Sequence, residues 1–125
     1  GGIGKSTTTS NLSIVLAKKG YTVMQIGCGP KADSTRLLTR GEKIRPILKT
    51  ISNNKDTITL DTLVFKGDYG ILCAECGGPM PGVGCAGRGI ISAFERLDAL
   101  HAFEILKDFV LYDVLGDVVC GGFAM

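Results

Sequence analysis

No apolar run in this sequence approaches the roughly 18 residues that a membrane-spanning helix needs, and no stretch has the build of a secretory signal. A membrane partner is therefore not expected. The formal net charge is only +2, and no basic cluster accompanies it, so nucleic acid is not an expected partner either. There is no internal repeat and no low-complexity segment. Histidine occurs once, at His101, and reads as a surface or packing residue. What is present describes an ordinary globular protein: 125 residues, 45% hydrophobic and 21% charged, one domain or part of one. Five cysteines beside the nucleotide motif described next point to a reducing cytoplasm, with thiols serving metal or redox chemistry rather than disulfides.

The chain opens on Gly1-Gly2-Ile3-Gly4-Lys5-Ser6-Thr7-Thr8-Thr9, the larger part of the phosphate-binding pattern G-x-x-x-x-G-K-S/T. The first glycine of that pattern would precede Gly1, and so would the strand that feeds the loop. The chain reads as a fragment, 1–125, truncated at both ends of a single domain. Gly1, Gly2 and Gly4 allow the backbone to curl so that N–H groups point at phosphate oxygens. Lys5 places a positive charge on the terminal phosphates, the Ser6 hydroxyl ligates the accompanying Mg²⁺, and Thr7 belongs to the same ATP-binding stretch. The following helix aims its positive dipole end at the same anion. A purely structural glycine turn is the bland alternative, and Gly-Lys-Ser at a helix start outweighs it.

Leu12, Val15, Leu16 and Ala17 recur at helical spacing within Asn11 to Lys18, and Gly20 reads as the stop. Tyr21 to Gly27 reads as a short buried strand. Helix then strand is half of a βαβ crossover. The expected fold is thus α/β of the P-loop NTPase kind: a mostly parallel sheet, helices on both faces, ligands at the carboxyl ends of the strands. The loop from Cys28 to Thr35 should face the nucleotide, with Asp33 and the neighbouring hydroxyls near Mg²⁺ or phosphate. Alternatively, Asp33 or Ser34 caps a helix beginning near Thr35. Short helices are expected over Ile44 to Ile51 and Leu60 to Val64, split by a polar turn at Ser52 to Asp56, and a strand over Ile71 to Ala74. A glycine-rich loop from Gly77 to Gly89 leads into a helix from Ile90 to Leu97. Phe109 to Tyr112 reads as a strand that delivers Asp113 to the nucleotide, where such a carboxylate holds Mg²⁺ through water.

Cys85 and Cys120 each lie among glycines, an environment that lets backbone N–H groups approach sulfur as they do around iron–sulfur clusters. Two inert buried thiols are the plainer reading, and spacing alone favours it. Cys73-Ala74-Glu75-Cys76 is a C-x₂-C pair without a second pair or a nearby histidine, and is taken as incidental.

Gly1–Thr9, Gly27–Arg36, Gly77–Gly89 and Tyr112–Met125 together resemble the nitrogenase iron-protein family, the dinitrogenase reductases. Pro-Gly-Val-Gly-Cys-Ala-Gly-Arg-Gly and Tyr-Asp-Val-Leu-Gly-Asp-Val-Val-Cys-Gly-Gly-Phe-Ala-Met are far more specific than a P-loop. The resemblance implies ATP-dependent electron transfer to dinitrogenase, a molybdenum–iron protein or a related component, with ferredoxin or flavodoxin as donor. It implies a homodimer with an ATP site in each subunit and one 4Fe-4S cluster between them. Cys85 and Cys120 match the cluster ligands, and Lys5 and Ser6 the phosphate and Mg²⁺ residues. Asp33 matches the acidic residue of the first switch region, Asp113 and Asp117 those of the second. Arg88 matches a docking-surface arginine that some members modify by ADP-ribosylation.

The chain departs from the family at two places: Gly29 stands where the family has Asp near the attacking water, and Cys76 where it has Ser. Glycine cannot polarise water or accept its proton. Two rivals are a nitrogenase-like reductase of tetrapyrrole biosynthesis, of the F430 or protochlorophyllide type, and a partition-type ATPase with no redox role. The fragment is expected neither to fold stably nor to act on its own. Cooperative unfolding of the isolated 125 residues would overturn that expectation.

Overall fold

The computed structural model describes residues 2–28, 33–53, 58–77, 86–105 and 108–113. Helix α1 spans Gly2–Lys18 and feeds strand β1, Val23–Gly27. The turn between them is a Schellman motif: the Gly20 N–H donates to Ala17 O at 3.0 Å and the Tyr21 N–H to Leu16 O at 3.2 Å. Gly20 takes φ +95°, a left-handed conformation that glycine adopts without the usual Cβ penalty. The helix begins at Gly2, so Gly4, Lys5 and Ser6 lie in its first turns rather than in a loop before it.

A 3₁₀ turn, Arg36–Leu38, follows the loop after β1, then short helices α2, Ile47–Asn53, and α3, Leu60–Leu63. Strand β2, Phe65–Lys66, and strand β3, Leu72–Glu75, flank a second 3₁₀ turn at Asp68–Gly70. Helices α4, Ala86–Ala99, and α5, Ala102–Ile105, lead to strand β4, Phe109–Asp113. Among the described residues the strands form one sheet in the order β2-β3-β1-β4. Strand β1 is parallel to both β3 and β4, while β2 pairs antiparallel with β3.

Several expectations shift. The helix expected near Thr35 is only the 3₁₀ turn, and Thr35 makes no side-chain cap there. The helix expected from Ile90 starts at Ala86, so residues 86–89 are helical rather than loop. Helix α2 starts at Ile47, just after Pro46, and runs through Ser52 and Asn53, which had read as a turn. The two-residue strand β2 is too short to show a period of two. His101 is exposed, as expected, and pairs with Glu104 at 2.9 Å.

Helices cover both faces of the sheet. Met24, Ile26, Ala74 and Cys76 pack with Ile47, Leu48, Leu63, Ala93, Leu97 and Ala102 of α2 to α5 in the larger apolar core. Val23, Ile71 and Cys73 face the other way, with Leu38 and the α1 residues Ile14, Leu16 and Ala17. Leu12 and Val15 are about half exposed, at 47% and 49%, although their spacing suggested an apolar stripe. The buried face of α1 carries Ser10 and Ser13 instead.

Gly27 closes β1. A Cβ at this position would overlap the Glu75 carboxylate oxygen Oε1 and lie 2.6 Å from the Ser34 Cβ. Gly27→Ala is therefore expected to destabilise the full-length protein by roughly 1–3 kcal/mol, the usual cost of overpacking a closed site. Denaturant titration checks this, and an unchanged midpoint would show that the cleft opens freely.

Candidate functional site

The parallel register aligns three strand ends. Gly27 is paired with Glu75 on one side and with Asp113 on the other. The Cys28 N–H continues the ladder to Asp113 O at 2.9 Å, and the Cys76 N–H to Gly27 O at 2.8 Å. Because side chains alternate across a sheet, Gln25, Glu75 and Asp113 all project toward α1. This places two carboxylates and an amide under the helix that begins with the P-loop residues.

All three side chains belong to buried residues: Gln25 and Glu75 are fully buried, and Asp113 retains 6% exposure. Buried polar groups need partners, since an unmet one costs about 1–3 kcal/mol. The partners come from α1 and from the segment after β1. The Ser34 hydroxyl donates to Asp113 Oδ2 at 2.6 Å. The Thr35 N–H and hydroxyl both donate to Glu75 Oε2 at 2.7 Å. The Gln25 amide nitrogen reaches the Ser34 hydroxyl at 3.0 Å, the Ser34 carbonyl at 3.2 Å and the Ser10 hydroxyl at 3.2 Å. The Ser13 hydroxyl donates to Gln25 Oε1 at 2.8 Å.

Glu75 Oε1, by contrast, is buried and has no hydrogen-bond partner among the described residues. Burial pushes the Glu75 carboxyl above its ordinary range. The two Thr35 donors oppose the shift, and the nearby Asp33 and Asp113 charges add to it. A hydrogen bond with Cys28, then burial, holds the Cys76 thiol far above its usual range. The Cys73 thiol is pushed up to about 12, chiefly by burial. Cys73 and Cys76 belong to opposite cores, so this C-x₂-C pair cannot close on one ion. The pair is structural.

Of the residues singled out from the sequence, Asp33 and Asp113 come together at this edge, both close enough to raise Glu75. Asp33 is exposed and its carbonyl accepts the Arg36 N–H at 3.4 Å. Lys5, Ser6 and Thr7 lie in the first two turns of α1, and Arg88 in the first turn of α4. Gly1, Gly29, Cys85, Asp117 and Cys120 lie outside the described residues. The Ser34 and Thr35 hydroxyls, expected to face phosphate or Mg²⁺, are instead directed to carboxylates. Neither Asp33 nor Ser34 caps a helix. Sequence reasoning missed Gln25, Glu75, Ser10 and Ser13. Their signal was polar letters inside an otherwise apolar strand and at i, i+3 on one helix face.

As to metal sites, Asp113 has the donor chemistry for Mg²⁺, a hard cation that takes carboxylate oxygen directly or through water. Among the described residues no helix is long and apolar enough to cross a membrane.

A family model described as 4Fe-4S iron sulfur cluster binding proteins, NifH/frxC family, matches residues 1–125. The chain is 58% identical over 126 aligned residues to the nitrogenase iron protein of Methanospirillum hungatei JF-1, covering all of this chain and 44% of that protein. It is 56% identical to nitrogenase iron protein 2 of Paenibacillus durus, again over all of this chain and 43% of that protein. The chain thus spans less than half the length of these curated relatives.

The Glu75 environment sets a pH dependence. A carboxyl with a raised native pKa binds its proton more tightly folded than unfolded. Its contribution to stability is fullest below the ordinary value of 4.5 and is lost as pH rises through the native value. Glu75→Gln removes that titration. The stability of the wild type relative to Glu75→Gln is expected to fall between acid pH and neutrality. A difference that does not change with pH would return Glu75 to an ordinary carboxyl.

Proposed function

The chain belongs to the NifH/frxC family of 4Fe-4S iron–sulfur cluster binding proteins, and we propose that its protein couples MgATP hydrolysis to electron transfer to a dinitrogenase in nitrogen fixation. The likeness to two nitrogenase iron proteins along the whole chain carries this reading. The meeting of Asp33, Ser34 and Asp113 at one sheet edge supports it, because ligands of parallel α/β sheets bind beyond the carboxyl ends of the strands.

In this reading Gly1, Gly2, Gly4 and Thr7 shape the phosphate cradle, Lys5 neutralises the terminal phosphates, and Ser6 and Asp113 hold Mg²⁺. Asp33 and Asp117 sense whether the γ-phosphate is present. Cys85 and Cys120 hold the cluster between two copies of the protein in a homodimer. The cluster supplies a single electron at low potential. Asp117 stands four residues after Asp113 and three before Cys120, so a shift at the nucleotide has a short covalent route to a cluster ligand. Coupling of a γ-phosphate to a distant segment is a recurrent switching device. Arg88, at the start of α4, belongs to the surface that docks on dinitrogenase and is a candidate for ADP-ribosylation. Ferredoxin or flavodoxin is the electron donor, and the compartment is the cytoplasm.

Gly29 makes the test sharp. Full-length protein with Gly29 and with Gly29→Asp is reconstituted with iron and sulfide and assayed for acetylene reduction with a molybdenum–iron dinitrogenase. Both forms are expected to bind one cluster per dimer. Gly29→Asp is expected to turn over faster by on the order of 10²-fold, the lower range of a positioned general base. Cluster binding by both forms with acetylene reduction by neither would overturn the nitrogenase acceptor. An iron-free dimer that hydrolyses ATP would overturn the redox function altogether.

A further inference from the structure

We infer that Ser34, oriented by Gln25, is a positioning residue for Asp113: a relay Ser13–Gln25–Ser34–Asp113 fixes this carboxylate relative to the helix that carries Lys5 and Ser6. The inference rests on the reading of Asp113 as the Mg²⁺-side carboxylate and assigns its support to residues with no role so far.

Donor and acceptor counting gives the relay its direction. A serine hydroxyl has one proton, and Ser34 directs it to Asp113 Oδ2 at 2.6 Å. The hydroxyl can then only accept from its other neighbour, and it does so from Gln25 Nε2 at 3.0 Å. The orientation of the Gln25 amide is likewise forced. The Ser34 carbonyl, 3.2 Å from Nε2, can only accept, so the NH₂ end must face it. That leaves Oε1 toward Ser13, whose hydroxyl donates to it at 2.8 Å. Every link joins buried residues: Ser13 and Gln25 are fully enclosed, and Ser34 and Asp113 keep 7% and 6% exposure. Water has little access to substitute for any of them.

The relay crosses three elements: α1 through Ser13, β1 through Gln25 and β4 through Asp113. Ser13 lies seven residues after Ser6, about two helical turns along the same helix. The two protein groups read as Mg²⁺ ligands, Ser6 and Asp113, are therefore held to one frame through four side chains. A charge-assisted bond at 2.6 Å restrains the rotation of the Asp113 carboxylate far better than the strand backbone alone. With its proton committed to Asp113, the Ser34 hydroxyl cannot also donate to a phosphate in this arrangement.

The test uses the full-length protein and separates metal from nucleotide. ATP binding is measured by calorimetry in excess EDTA and across a Mg²⁺ titration. In the wild type Mg²⁺ is expected to tighten ATP binding. Ser34→Ala is expected to raise the Mg²⁺ concentration for half-maximal effect about tenfold, the usual weight of one hydrogen bond to a charged group. ATP affinity in EDTA should change less than that. Gln25→Met, which keeps the volume and removes the amide, should shift Mg²⁺ in the same direction by a smaller factor, and tests the relay alone if Ser34→Ala does not fold. Mg²⁺ midpoints within about twofold of the wild type, the scatter of uncoupled sites, would overturn the inference. So would equal weakening with and without metal, the mark of general loosening. A wild type indifferent to Mg²⁺ would instead overturn the assignment of Asp113 on which the relay is built.

Discussion

Two buried carboxylates at the carboxyl end of the sheet, Glu75 and Asp113, dictate much of what surrounds them. Each must find donors where water is scarce. Three of those donors come from two consecutive residues, Ser34 and Thr35. The segment after β1 must therefore return across the strand ends, and a residue with any side chain at position 27 would block it. Gln25 follows from the same demand, because the Ser34 hydroxyl needs a partner after donating to Asp113. Serines at positions 10 and 13 follow from Gln25. A helix face that would ordinarily be apolar becomes polar through a short chain of hydrogen-bond obligations.

The two faces of the sheet thus do different physical work. The α2-to-α5 face is apolar, with Met24, Ile26, Leu63 and Leu97 all buried, and each such side chain contributes about 1.5–3 kcal/mol when fully enclosed. The α1 face holds a smaller apolar cluster and, beyond it toward the strand ends, the polar network. Apolar packing tolerates small displacements, whereas hydrogen bonds near 2.6–2.8 Å weaken quickly with misalignment. The face that bears α1 is held by the more demanding interaction.

How far the sequence could be read depended on the range of the interactions concerned. Helix α1, its stop at Gly20, strand β1 and the carboxylate at the end of β4 were legible because local spacing determines them. The family was legible from long motifs around Cys85 and Cys120. The polar network was not. Gln25 and Glu75 are single polar residues in apolar strands, and their partners lie as far as 40 residues away. Periodicity also misjudged α1: Leu12 and Val15 recur at the right spacing, yet Ser10, Ser13, Ile14 and Ala17 form the inward stripe. The helix expected at Thr35 gave way because Thr35 bonds Glu75 rather than capping a helix, and a single 3₁₀ turn remained.

Strand β3 carries a further consequence. Its residues alternate between the two faces, with Glu75 toward α1 and Ala74 and Cys76 toward the larger core. A slip of one position along β1 would exchange these faces. The Glu75 carboxylate would then enter a compartment lined by Met24, Ile26 and Leu97, away from both Thr35 donors. A mispaired apolar strand loses only packing, but this one would also bury a carboxyl group without its hydrogen-bond partners. Parallel pairings form late and between distant segments, so they are exposed to such errors. Glu75 therefore acts as a proofreader of strand alignment: a one-position slip takes it from its Thr35 donors, and the native register that keeps them is the one that builds the site.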